Sequence, residues 1–89
     1  MVLIVLESVW LDDIEQRATR ATAGPWTSFV EGRDHTSGSS FIRTAGDDIE
    51  MSGATIDDQD FIAHAREDIP ALIAEVRRLL GERGADATK

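Results

Sequence analysis

Six apolar residues in the last third of the chain, Ile69, Leu72, Ile73, Val76, Leu79 and Leu80, fall at i, i+3, i+4, i+7, i+10 and i+11. An α-helix brings that spacing onto one side, so the pattern predicts a helix over about Ile69–Arg83. A helix with one apolar side has to bury it against another element, and the remaining residues must supply that element. Arg77, Arg78 and Arg83 lie toward its C-terminal end, where positive charge is favoured. Asp68 reads as its N-cap, with Pro70 in its first turn. Gly81 and Gly84 are candidate stops, and residues 85–89 are expected to form a disordered polar tail.

A second helix is expected just before it. Thr55 followed by Asp58 resembles a capping box, with Asp in place of the usual Glu. Asp57, Asp58 and Asp60 then occupy the first turns, where negative charge is favoured. Phe61, Ile62 and Ala65 supply an apolar face. Pro70 should end or kink this helix, because the residue before a proline avoids the α region.

The start of the chain holds another amphipathic stretch, residues 9–22. Trp10, Leu11, Ile14, Ala18 and Ala21 recur at helical spacing, and Ser8 can serve as N-cap. Asp12, Asp13 and Glu15 near its start and Arg17 and Arg20 near its end complement the helix dipole. Gly24 suits a left-handed C-terminal position, and Pro25 cannot continue the helix. Trp26 follows at once and is expected to fold back onto the core between the first and last helices.

Between these helices the period changes. Trp26–Glu31 is rich in aromatic and β-branched residues and reads as a strand. Gly32–Ser40 (GRDHTSGSS) is a polar loop. Phe41–Thr44 reads as a second strand, residues 45–48 as a turn and Ile49–Ser52 as a short third strand. The connections are too short for parallel crossovers, so the strands should form an antiparallel meander. The expected fold is α+β: an N-terminal helix, a small antiparallel β-meander and two C-terminal helices, in a single domain over residues 1–84.

Met1–Leu6 is the longest apolar run. It reads either as a buried β-strand or as an extension ahead of the domain. It is far shorter than the roughly 20 residues of a membrane span, and it lacks the positive start and small-residue cleavage site of a signal peptide. Left unpaired, it would be an edge for self-association. Together with the apolar last helix it raises the expectation of a homodimer, the commonest oligomer.

The net charge is −8 over 89 residues. Nine acidic and four basic residues lie in 1–56, and eight acidic and five basic in 57–89. Charge of this sign on both halves opposes a phosphate backbone, so direct nucleic-acid binding is not expected. With no cysteine in the chain, disulfides, thiolate metal sites and cysteine nucleophiles are excluded. A reducing cytoplasm is then the simplest location.

No constellation for chemistry emerges. His35 lies in a polar loop and His64 on a predicted helix, without the spacing of a zinc site. The pairs Asp12/Asp13, Asp47/Asp48 and Asp57/Asp58 are accounted for by helix starts and a turn, and none begins a calcium-binding loop. Ser37, Ser39 and Ser40 lack the flanking pattern of a nucleophile elbow. Gly32 and Gly38 match neither a phosphate-binding loop nor a dinucleotide fingerprint. No cofactor, no metal and no enzymatic activity are expected. Recognition is instead expected in the loop and its flanking strands, with Arg33, Asp34, His35, Phe41 and Arg43 as candidate contact residues.

Two blocks carry a resemblance. Leu11–Trp26 runs as an Ala-rich amphipathic helix ending in Ala-Thr-Ala-Gly-Pro-Trp. Asp60–Leu79 runs as Phe-Ile-Ala-His-Ala, a short break with proline and a Leu-rich helix. In this order the chain resembles the ead-like family of small phage and prophage early-region proteins, or an actinobacterial or actinophage relative. The resemblance spans 36 of the 89 residues and leaves out residues 1–6 and 27–56. It implies a small accessory protein with no established enzymatic role, and it brings no site residues with it. The function expected on these grounds is binding of a host or phage protein in the bacterial cytoplasm. The alternatives are an acidic mimic that blocks a DNA-binding protein, a small structural or assembly subunit, and a hydrolase built on the loop serines and His35.

Overall fold

The computed structural model describes the backbone of residues 8–88 and the side chains of residues 9–81. The order is α1 (Ser8–Arg20), β1 (Thr27–Phe29), β2 (Phe41–Arg43), β3 (Ile49–Glu50) and α2 (Ile56–Thr88). This is the expected α+β arrangement with one correction: a single C-terminal helix stands where two were expected. The reading of the run Met1–Leu6 as strand or extension falls outside the described residues.

Pro70 lies inside α2. It removes the N–H that would bond the Arg66 carbonyl and crowds the preceding turn, a cost of about 3 kcal/mol in a helix interior. Pro70 is on the exposed side, where water can take up the freed carbonyl. Burial on both sides of the proline offsets the rest, with Ala63 against the sheet and Ile73 against α1. Asp68 is therefore a mid-helix residue and caps nothing. Gly81 does not adopt the left-handed conformation of a glycine stop, and the helix passes through it. The N-terminal capping box is as expected: the Thr55 N–H donates to Asp58 Oδ2 at 3.2 Å, and the Asp58 N–H donates to Thr55 Oγ1 at 3.0 Å. Gly53, at φ 92°, makes the turn that precedes it.

The strands form an antiparallel sheet in the order β1-β2-β3. Thr27 pairs with Arg43, Ser28 with Ile42 and Phe29 with Phe41; on the other edge of β2, Phe41 pairs with Glu50 and Ile42 with Ile49. Ile42 is fully buried and packs with Met51 and Ala63, against which Trp26 and Ala54 also lean. One face of the sheet is thus closed by the first half of α2. Gln59, 1% exposed, donates its side-chain amide to the carbonyls of Phe29 (3.1 Å) and Phe41 (3.0 Å). That bridge ties both strands to the helix.

α1 packs along the second half of α2. Leu11 and Ile73 are buried, Arg77 pairs with Asp12 and Glu15, and Arg66 donates to the Ala18 carbonyl. These contacts make the two helices antiparallel. Asp12 therefore serves an inter-helix ion pair rather than a helix start, and Asp12 chiefly holds the Arg77 guanidinium above its ordinary pKa. Arg66 satisfies one of the orphan carbonyls at the end of α1. Gly24 is not left-handed. A Cβ there would lie 3.1 Å from Arg66 Cγ and 3.2 Å from Glu67 Oε1, so glycine is suited to a close approach of the chain to α2. Trp26 is half-buried rather than fully enclosed, and its indole N–H donates to the Thr22 carbonyl at 2.9 Å.

Candidate functional site

Side chains alternate across a sheet. Because Ile42 points into the core, its neighbours Phe41 and Arg43 point to the opposite face. Register brings Phe29 and Glu50 beside Phe41, and Thr27 beside Arg43, on that outer face. The rings of Phe29 and Phe41 stack with centroids 5.2 Å apart and planes 15° apart. The Arg43 guanidinium covers Phe29 at 4.9 Å and Phe41 at 5.9 Å, and the His35 ring lies 5.6 Å from Phe41, tilted by 40°. Arg43, Phe29, Phe41 and His35 form a continuous ladder over the outer face. Arg43 is exposed and the other three are half-buried.

The loop after β1 presents His35 to this ladder. The Val30 N–H donates to Asp34 Oδ2 at 2.8 Å, while the Asp34 N–H donates to the Val30 carbonyl at 2.7 Å. Gly32 takes φ 91°, and its N–H donates to the His35 carbonyl at 2.7 Å. His35 Nδ1 lies 2.6 Å from the Ser37 carbonyl. A carbonyl can only accept, so Nδ1 carries the proton. Its Nε2 is buried without a hydrogen-bond partner among the described residues. The Ser40 hydroxyl accepts from the Glu31 N–H. Gly32–Ser40, read from sequence as a loose polar loop, is in its first half a closed turn.

Arg33 anchors this turn to α2. Its guanidinium donates to both carboxylate oxygens of Asp34 and of Asp60. Asp60 and then Asp34 raise the Arg33 pKa above its ordinary value. Asp34 is held below the usual carboxylate range, first by Arg33 and then by the Val30 N–H, and Asp60 is held below it chiefly by Arg33.

The five residues singled out from sequence thus fall into two groups. His35, Phe41 and Arg43 meet in the ladder. Arg33 and Asp34 meet at its flank, in an ion cluster that holds the loop in place. Phe29, Gln59 and Asp60 were not singled out. The alternation within Trp26–Glu31 could have placed Phe29 opposite the core, but only with the register known. Gln59 and Asp60 read in sequence as ordinary polar positions of a helical first turn.

Chemically, the ladder offers π faces and one positive charge beside carboxylates at Glu31, Asp34 and Glu50. Among the described residues no group of three or more His, Asp or Glu side chains could hold a metal ion, and no helix is long and apolar enough to cross a membrane. In comparison with known proteins, no family model matches the chain, and no curated protein or solved structure matches it.

Proposed function

We propose that the protein is a non-enzymatic binding protein that recognises a protein partner through the outer face of its sheet. The observation that carries this reading is the Arg43–Phe29–Phe41–His35 ladder, set on the side of the sheet that no helix covers among the described residues. Arginine and aromatic residues are the side chains that concentrate binding energy at protein interfaces. A rigid sheet that presents them loses little conformational entropy on binding. The loop beside the ladder is fixed by the Arg33 cluster, which favours a preformed recognition surface.

A protein partner fits this surface better than a nucleic acid. Aromatic platforms on sheets can stack bases, but they work beside cationic tracks for the backbone. Here Arg33 is already neutralised by two carboxylates, the remaining ladder cation is Arg43, and the chain carries −8. Residence in the bacterial cytoplasm and an origin in a phage or prophage belong to the same proposal. They rest on the absence of cysteine and on the resemblance of the blocks Leu11–Trp26 and Asp60–Leu79 to ead-like proteins.

The test is affinity capture from bacterial lysate with wild-type chain, Arg43→Glu, Phe41→Ala and, as a control away from the ladder, Glu67→Ala. A defined protein retained by wild type and Glu67→Ala but lost with both ladder variants, all with unchanged circular dichroism, supports the reading. Equal capture by all four chains, or capture that DNA competes away, overturns it.

A further inference from the structure

The helix with the clearest apolar pattern in the sequence is largely uncovered in the fold. Among the described side chains of α2, Ala63 and Ile73 are the only buried apolar ones, whereas Phe61 is 75% exposed, Leu72 60%, Leu79 49% and Leu80 44%. Ile62 and Ile69 also remain partly exposed. A surface helix ordinarily turns polar residues to solvent. On α2 the uncovered apolar residues instead form one continuous arc beside the contact with α1. There Leu11 and Ile14 of α1 face Ile69, Leu72 and Val76 of α2 across an apolar groove.

The arc has the period of a helix–helix seam. Ile62, Ile69 and Val76 are seven residues apart, as are Ala65, Leu72 and Leu79, and the two series alternate by three and four. This 3.5-residue repeat keeps a stripe facing a partner helix along its length. β-branched residues in the first series, with leucine at two of the three positions of the second, favour two parallel strands over higher assemblies.

We propose that a second copy of this chain covers the arc, so that α2 of each copy packs along α2 of the other about a two-fold axis and closes the groove beside α1. Area supports the assignment. The exposed parts of these side chains amount to at most about 600 Å² per copy, so covering them completely in the pair would remove about 1,200 Å² from water, at the lower edge of stable interfaces. The ladder lies on the sheet and remains accessible in the dimer, so the two surfaces can be tested apart.

Sedimentation equilibrium of the full chain at micromolar concentration is expected to give a dimer. The double variant Leu72→Lys/Leu79→Lys changes exposed positions only. It is expected to keep its helical circular dichroism and to raise the dimer dissociation constant about 100-fold or more. Arg43→Glu is expected to leave the dimer intact. The chain has no cysteine, so a single Leu79→Cys should cross-link two copies on oxidation, and Glu67→Cys, on the opposite side of α2, should not. A full chain that stays monomeric at high concentration overturns the proposal. So does a dimer indifferent to the lysine pair, or a monomer that dimerises only after residues 1–6 are removed, since that segment would then be what covers the arc.

Discussion

Arg33 and Asp60 are 27 residues apart in sequence and meet as a bidentate pair, Nη1 to Oδ2 at 2.7 Å and Nη2 to Oδ1 at 3.1 Å. Through this pair the loop that follows β1 is tied to the first turns of α2. Asp34 binds the same guanidinium from within the loop, so one arginine serves two carboxylates.

That arrangement sets a pH dependence. Both carboxylates have folded-state pKa values below their ordinary ones, with Arg33 as the main cause. Their stabilisation is complete above the unfolded carboxylate value, about 3.9 for Asp, and is lost as pH falls through the lower folded values. Urea midpoints measured from pH 7 downward should fall on acidification in the wild type. In Arg33→Met the midpoint should be lower at pH 7 and the acid loss smaller, so that the two curves converge below about pH 4. Parallel curves would show that Arg33 does not govern these carboxylates.

Gln59→Leu should destabilise the domain. It keeps the apolar stem but removes both side-chain hydrogen bonds from α2 to the Phe29 and Phe41 carbonyls, each worth about 0.5–1.5 kcal/mol. Gln59→Glu should be at least as damaging, because a carboxylate cannot donate and would face two carbonyl oxygens. Chemical denaturation monitored by tryptophan fluorescence measures both. A loss below about 0.5 kcal/mol for Gln59→Leu would mean that water replaces the amide at no cost.

Trp26→Ala should cost about 3 kcal/mol, at the lower end for large aromatic truncations because the ring is only half-buried. Trp26→Phe should retain most of the packing and lose the bond to the Thr22 carbonyl, at about 0.5–1.5 kcal/mol. Equilibrium unfolding followed by far-ultraviolet circular dichroism separates the two, since it does not depend on the indole itself.

Pro70→Ala should stabilise the chain, by about 1–3 kcal/mol, since it restores the bond to the Arg66 carbonyl in a helix that is already continuous. Thermal melting should show a higher midpoint. A lower midpoint would mean that the path of α2 across the sheet and α1 depends on the proline.

The local elements of this protein were legible in its sequence because they depend on neighbours a few residues away. The apolar spacing of Leu11, Ile14 and Ala18, the Thr55–Asp58 box and the short aromatic and β-branched runs identify α1, the start of α2 and the three strands with little displacement. Three features were decided only by tertiary contacts. Pro70 has the local character of a break, but packing of Ala63 on one side of it and Ile73 on the other keeps the helix whole. Gly24 has the local character of a left-handed stop, but the approach of Arg66 and Glu67 is what a side chain there would meet. The candidate site depends most on tertiary structure. Sequence pointed to Arg33, Asp34, His35, Phe41 and Arg43 as one polar and aromatic neighbourhood. The pairing of Phe29 with Phe41 and the reach of Arg33 to Asp60 divided them into a ladder and its anchor. Strand register and long-range ion pairs are set by which face the core claims, and no short window of residues contains that information.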